Sequence, residues 1–243
     1  MEASLAASFA RVAEASALGR PDWPLEAVDA LALAPGAEVV ELGAGTGKLT
    51  RALVARAARV VAIEPLPGMR AVLERVVPDA EAVDARAEEV PLPDASVDAV
   101  AVADAFHWFD LGRTLAEIRR VLRSGGVLGV LTSRLDGPTE PQVHGVSALF
   151  AGHGRPAEHP GSSFDDGAWL QAFPSQPRET VVCWEQALGR DAMVAHHASL
   201  SWIAALPTAE RDALLGELRA LLPDVVYRRR WRAHVVVFER GSI

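Results

Sequence analysis

Val39-Val40-Glu41-Leu42-Gly43-Ala44-Gly45-Thr46-Gly47-Lys48-Leu49-Thr50 reads as an apolar strand that breaks into alternate glycines and resumes as a helix. Glycine at every second position lets the chain turn sharply and approach a ligand without Cβ interference. Free N–H groups at the start of the next helix favour a carboxylate or phosphate. A small, partly anionic ligand is therefore expected at this turn. The Walker pattern fails, because Leu42 stands five residues before Gly47 and Leu49 follows Lys48 where Ser or Thr is required. The dinucleotide pattern GxGxxG fails too: its third glycine falls one position early, at Gly47, and Lys48 takes its place.

Working outward, short β-branched runs alternate with longer helical patterns, as βαβ units around a parallel sheet require. Strands are expected at about 37–42, 59–64, 79–83, 98–103 and 126–132, with helices at 48–57, 68–76 and 111–123 between them. In the last of these, Leu111, Leu115, Ile118 and Leu122 recur at spacings of three and four and form one apolar face. Upstream, 3–17 and 25–33 read as helices around the punctuated Gly19-Arg20-Pro21-Asp22-Trp23-Pro24. Beyond Thr132 the texture changes: 134–178 is rich in Gly, Pro, Ser and His, with short helical patches near 142–150 and 166–172. Irregular segments of that length are usually lids or substrate-binding insertions. Regular structure resumes with a strand at 179–187, helices near 190–204 and 208–222, and a final strand near 231–239. The chain thus divides into N-terminal helices (1–36), a ligand-binding core (37–133), an irregular cover (134–178) and a C-terminal part that completes the sheet (179–243).

Acidic residues mark the strand ends. Glu64 closes the Val60-Val61-Ala62-Ile63 run, where a carboxylate accepts two hydrogen bonds from the vicinal hydroxyls of a ribose. Asp84-Ala85-Arg86-Ala87-Glu88 follows the third strand, positioned to approach a base, and Asp104 ends the fourth. Ligands of open parallel sheets bind outside these carboxyl ends.

Taken together, Glu41-x-Gly43-x-Gly45-x-Gly47, Glu64-Pro65 with Met69, Ala87-Glu88 before Pro91-Leu92-Pro93-Asp94-x-Ser96-x-Asp98, Ala105-Phe106-His107-Trp108-Phe109 and Leu122-Arg123-Ser124-Gly125-Gly126 resemble the class I S-adenosylmethionine-dependent methyltransferases. The resemblance implies an α/β fold with a Rossmann-like seven-stranded, mostly parallel sheet and an antiparallel last strand. It also implies S-adenosyl-L-methionine bound across the carboxyl ends of the first strands and S-adenosyl-L-homocysteine as product. Carried over residue by residue, Gly43, Ala44, Gly45 and Gly47 form the backbone-contacting turn, Glu41 is the acid near the methionine amino group, and Glu64 is the ribose carboxylate. Pro65 and Met69 follow in the same motif. The adenine contact falls to Arg86, Asp84 or the backbone of Ala87, and Trp23 matches an aromatic that flanks the cofactor or packs beside it.

Methyl transfer is an in-line displacement in which the cofactor supplies the activated group, so the protein chiefly aligns the reactants. His107 is the candidate base, since imidazole titrates near neutrality, and Asp104 orients substrate or cofactor or caps the next helix. The residues after the fourth strand, Asp104-Ala105-Phe106-His107, differ from the Asp/Asn-Pro-Pro-aromatic motif of nucleic-acid amino methyltransferases. A small-molecule acceptor is favoured, with O, N, C and carboxylate acceptors open and RNA remaining as an alternative acceptor. An NAD-dependent oxidoreductase and a non-catalytic cofactor-binding regulator stand as alternatives.

The 243 residues are 50% hydrophobic and 23% charged, with a mean hydropathy of +0.14, enough for one full domain with an appendage. A net charge of −8 argues against general affinity for nucleic acid or anionic membrane. No run approaches the roughly 20 apolar residues of a membrane span, no signal peptide is indicated, and a cytoplasmic setting is expected. The single cysteine, Cys183, excludes an internal disulfide and reads as inert packing. His144, His153 and His159 lack tight metal-ligand spacing, and neighbouring His196 and His197 diverge on a helix. Trp169, Trp184 and Trp202 suit the core or an apolar pocket. Tyr227-Arg228-Arg229-Arg230-Trp231-Arg232, the one concentrated basic run, reads as a charge-protected strand edge or a local nucleic-acid contact.

Overall fold

The computed structural model describes residues 13–137, 143–154 and 177–243. Seven strands, β1 (Glu38–Leu42), β2 (Arg59–Ile63), β3 (Glu81–Val83), β4 (Val97–Ala103), β5 (Leu122–Leu135), β6 (Arg178–Leu188) and β7 (Tyr227–Glu239), form one sheet in the order β3-β2-β1-β4-β5-β7-β6. β1 through β5 pair in parallel and the last strands run antiparallel, as the family resemblance implies. The chain clusters into two compact units, with β5, β6 and β7 each passing from one to the other.

The larger unit (22–133, 160–182, 233–243) holds the glycine turn. Its described helices are α2 (Leu25–Asp29), α3 (Lys48–Val54), α4 (Pro67–Val76) and α5 (Leu111–Val121), α1 (Ala13–Gly19) belonging to the other unit. β1 and β2 read as near-continuous apolar runs because both faces of a parallel strand are covered: Val39, Val40, Leu42, Val60, Val61, Ala62 and Ile63 are all buried. Asp110 N-caps α5, its Oδ1 accepting from Arg113 N at 3.0 Å, and Leu115, Ile118 and Val121 enter the main core beside Val100, Leu128 and Phe238. Complete burial makes Ile118 worth about 2–5 kcal/mol against alanine. The helix stops at Val121 and β5 begins at once. Val97 faces Leu122 while Ala99 faces Val127, so the Arg123-to-Gly126 segment is looped out of register, with Gly125 at φ +77°. Pro67 starts α4 at a position where its missing N–H costs nothing.

The smaller unit (1–21, 134–159, 183–232) packs α1, α6 (Val146–Gly152), α7 (Arg190–Ala198), α8 (Ser201–Ala204) and α9 (Thr208–Leu221). Its core joins Val146, Phe150, Met193, Ile203, Leu214 and Leu218. The helix expected over 190–204 divides at Ser199, whose hydroxyl donates to His196 O at 2.7 Å while Leu200 turns extended.

Two sequence readings are corrected here. β7 lies inside the sheet order, so the basic run is no edge: Arg229 and Trp231 alternate inward, while Arg228 pairs with Glu185 and Arg230 with Asp136. β6 is the edge, and Cys183 falls on its exposed phase instead of packing inside. The patch at 166–172, most of the 134–178 cover, His159 and Trp169 lie outside the described residues. No described helix is long and apolar enough to cross a membrane.

Candidate active site

The β1 strand delivers the glycine turn to the carboxyl edge of the sheet. Gly43 N and Ala44 N donate to Ile63 O at 2.9 and 3.0 Å, so the turn is stitched to the end of β2. Gly43, Gly45 and Gly47 have φ of +70°, +58° and +85°, a region that costs other residues about 1–2 kcal/mol. Each glycine has its own reason beyond that. A Cβ at Gly43 would stand 2.8 Å from Ala105 Cβ, and one at Gly47 would stand 2.7 Å from Leu73 Cδ1. At Gly45 it would meet nothing, which leaves a cradle open above the backbone. Ala44 is buried against Ala62, Leu73 and Val77.

Glu64 organises the turn. Its Oε2 accepts from Gly45 N and its Oε1 from Leu66 N, both at 2.8 Å, so one carboxylate joins the glycine turn to the start of α4. A carboxylate has about four acceptor positions, and these bonds use two. Glu64 is 5% exposed, and burial raises its pKa despite the two N–H donors and the Arg70 charge. Arg70 donates to Glu64 O at 2.7 Å and pairs with Asp84 at 2.9 Å.

Glu41 lies beneath the turn, 1% exposed, and accepts from Thr50 Oγ at 2.6 Å. Burial pushes its pKa up to about 8, opposed by the Thr50 bond and helped by the Glu64 charge. Burial thus raises the cost of ionising both acids at this turn, and the Glu64 charge adds to that cost at Glu41. That environment suits a cation. S-Adenosylmethionine, with a sulfonium, an ammonium and a ribose diol, fits this donor set; the pyrophosphate of a dinucleotide would meet two carboxylates.

The remaining expected residues fall around this centre, some of them with other work. Met69 is buried on the inward face of α4, Pro65 is exposed between Glu64 and that helix, and Ala87 packs in the main core. Arg86 is exposed, and its backbone forms an isolated antiparallel bridge with Glu89, whose N donates to Arg86 O at 3.1 Å. Trp23 is 8% exposed, just before α2. Beside it, Asp22 ties this segment to α3 through Lys48 at 3.0 Å and Arg51 at 3.1 Å. Asp104, at φ +50°, ends β4 and bonds to Ser133; the helix cap is Asp110 instead. His107 and Trp108 stand exposed on a 3-10 turn, Phe106–Trp108, their rings 4.7 Å apart. Glu88 Oε1 accepts from Asp110 N at 2.9 Å and so anchors the far end of that loop.

Four residues escaped the sequence reading: Thr50, Arg70, Glu88 as an anchor, and Ser133. Thr50 carried the one available signal, a polar side chain among the buried Leu49, Ala52 and Leu53 of α3. His196 and His197 send their Nδ1 atoms to different carbonyls, Gly19 O at 3.2 Å and Met193 O at 2.9 Å, as divergence predicts.

Comparison with known proteins agrees with this geometry. Residues 40–130 match the model of a methyltransferase domain. An uncharacterized methyltransferase of Mycobacterium tuberculosis is 38% identical over 215 residues, 88% of this chain and 85% of the relative. A methyltransferase-like protein of Schizosaccharomyces pombe is 30% identical over 208 residues, 82% of this chain and 79% of its own. Among solved structures, one described as a type II methyltransferase from Anaeromyxobacter dehalogenans superposes with a TM-score of 0.66 at 27% identity, covering 91% of this chain and 98% of that one. With the sheet order, the glycine turn and the paired buried acids in place, these matches identify the chain as a class I S-adenosylmethionine-dependent methyltransferase.

Proposed function

We propose that the chain transfers the methyl group to a small-molecule acceptor by in-line displacement, with alignment as the protein's main contribution. The observation that carries this reading is the loop after β4, which presents Asp104, His107 and Trp108 at the same sheet edge as the glycine turn and carries no Pro-Pro-aromatic sequence. A relative in Clavibacter sepedonicus, 31% identical over 79% of this chain, is named demethylmenaquinone methyltransferase, which supports an acceptor that is neither nucleic acid nor protein.

The cofactor supplies a methyl group on a sulfonium, already activated for displacement. Around it, the Gly43, Gly45 and Gly47 backbone forms the cradle, Glu64 accepts from the ribose diol, and Glu41 offers a buried carboxyl that gives up its proton beside the ammonium. His107 accepts the proton where the acceptor atom carries one, a contribution of about a hundredfold or more. Trp108, 38% exposed, provides an apolar wall for the acceptor. Fixing the reactants in line contributes several kcal/mol, up to about 7–11 for ideal alignment.

The experiment is a metabolite extract screened with methyl-labelled cofactor. Label in a small organic product supports the reading and identifies the acceptor atom. Label only in RNA or protein refutes the acceptor class, and no transfer with intact cofactor binding favours the non-catalytic regulator.

A further inference from the structure

Arg70 lies in the first turn of α4 and reaches back to the strand tips beside the ribose acid. Its main chain is ordinary, N donating to Leu66 O at 3.0 Å. Its guanidinium does more: Nη1 donates to Glu64 O at 2.7 Å and Nη2 to Asp84 Oδ2 at 2.9 Å. Glu64 follows β2 and Asp84 follows β3, so one side chain spans the ends of two parallel strands. Glu64 N donates to Val83 O at 3.0 Å and continues the same ladder. The backbone of Glu64 is thus fixed by β3 and Arg70, while its carboxylate is fixed by Gly45 N and Leu66 N.

Stability alone is a poor reason for this bridge. The Arg70 side chain is 16% exposed but that of Asp84 is 69% exposed, and an ion pair with so open a member adds little to folding. What the pair does change is the charge around Glu64. Burial raises the pKa of Glu64, the Leu66 and Gly45 N–H groups and the Arg70 charge oppose that rise, and the Asp84 charge adds to it. Glu41 faces the same turn from β1 and keeps its proton below about pH 8. The two members of the bridge therefore act on the ribose acid with opposite sign.

That balance matters for ligand binding. A ribose diol donates twice, and a carboxylate that already accepts from Gly45 and Leu66 has about two acceptor positions left. A proton on Glu64 occupies one of them, so the grip on the nucleoside weakens as pH falls.

We propose that Arg70 is a positioning residue for the cofactor's ribose: bridged to Asp84, it holds the Glu64 segment against β3, and its positive charge keeps that acid able to accept both hydroxyls as pH falls. This rests on the methyltransferase-site reading above, and the role is exerted through Glu64.

The test is calorimetric affinity for S-adenosylhomocysteine between pH 5 and pH 8 on wild type, Arg70→Gln, Arg70→Lys and Asp84→Asn, each repeated with Glu64→Gln. Glu41 and His107 are common to all and cancel in the ratios to wild type. From pH 8 to pH 5, Arg70→Gln should lose about three- to tenfold more affinity than wild type loses. Asp84→Asn leaves the Arg70 charge unbalanced and should lose about two- to threefold less. Arg70→Lys keeps the charge and should follow the wild-type pH profile at a uniformly lower affinity. With Glu64→Gln in place, the pH-dependent differences should vanish. A structural strap would weaken the Arg70→Gln and Asp84→Asn variants alike at every pH, and that result, or ratios independent of pH, overturns the proposal. Asp84→Asn is a surface change, so its opposite sign decides the matter even where Arg70→Gln fails to fold. Should wild type bind no S-adenosylhomocysteine, the site reading itself fails; binding with flat ratios defeats the Arg70 assignment alone.

Discussion

Replacing Glu41 by Gln should change how stability depends on pH, because the native carboxyl is held in a place that resists its charge. Burial raises its pKa from 4.5 to about 8. The folded protein therefore keeps a proton that the unfolded chain releases, and stability falls as pH rises from about 4.5 to about 8. That interval, at about 1.36 kcal/mol per pH unit, sets a ceiling of roughly 5 kcal/mol, and relaxation around the ionised group is expected to leave about half. Gln has nearly the same shape, still accepts from Thr50, and has no proton to lose. His196 acts in the opposite direction, its pKa depressed by burial and by Arg229, Arg20 and His197, but it is present in both proteins and cancels in their difference. Urea unfolding at pH 5, 6, 7 and 8 provides the assay. Wild type should lose about 2–3.5 kcal/mol relative to Glu41→Gln across the series. Saturating S-adenosylhomocysteine should flatten that difference by placing an ammonium beside the carboxylate. Parallel stability profiles for the two proteins would refute the assignment of a raised, buried acid at this position.

Gly43→Ala and Gly45→Ala should separate packing from ligand approach. The first drives a Cβ to 2.8 Å from Ala105 and should cost about 2–4 kcal/mol of stability, whereas the second meets open space and should cost about 1–2 while removing most cofactor binding; thermal unfolding and calorimetry read the two effects. Glu64→Gln removes the charge but keeps an acceptor, and should weaken cofactor binding by about 1.5–3 kcal/mol, with unaltered affinity in a folded variant counting against the ribose role. For His107→Ala, the single-turnover rate should fall and its dependence on pH should change once the acceptor is known, and an unaltered profile would remove this residue from the base role.

Legibility in the sequence followed the physics of each element. β1, β2 and α5 could be placed to within a few residues because full burial leaves continuous apolar runs and the helical face repeats at three and four. The Leu122 boundary was harder: the apolar period of α5 runs on through Leu122, although that residue already pairs with Val97 and belongs to β5. The basic run misled for a different reason. Charge suggests an edge, yet only alternate arginines of β7 face outward, and whether a strand lies inside a sheet is decided by distant pairing. At the site, the glycines were visible because backbone geometry restricts residue type, and Glu64 because it is the acid that closes an apolar strand run. Ser133 and Arg70 were not, since their partners lie 29 and 6 residues away and a single serine or arginine carries no pattern of its own.

The decisive measurement is titration calorimetry of the purified chain with S-adenosylhomocysteine, beside NADH. Saturable heat with one S-adenosylhomocysteine per chain is expected, lost in Gly45→Ala, and none with NADH. Saturable binding of NADH with silence toward S-adenosylhomocysteine would contradict the cofactor assignment.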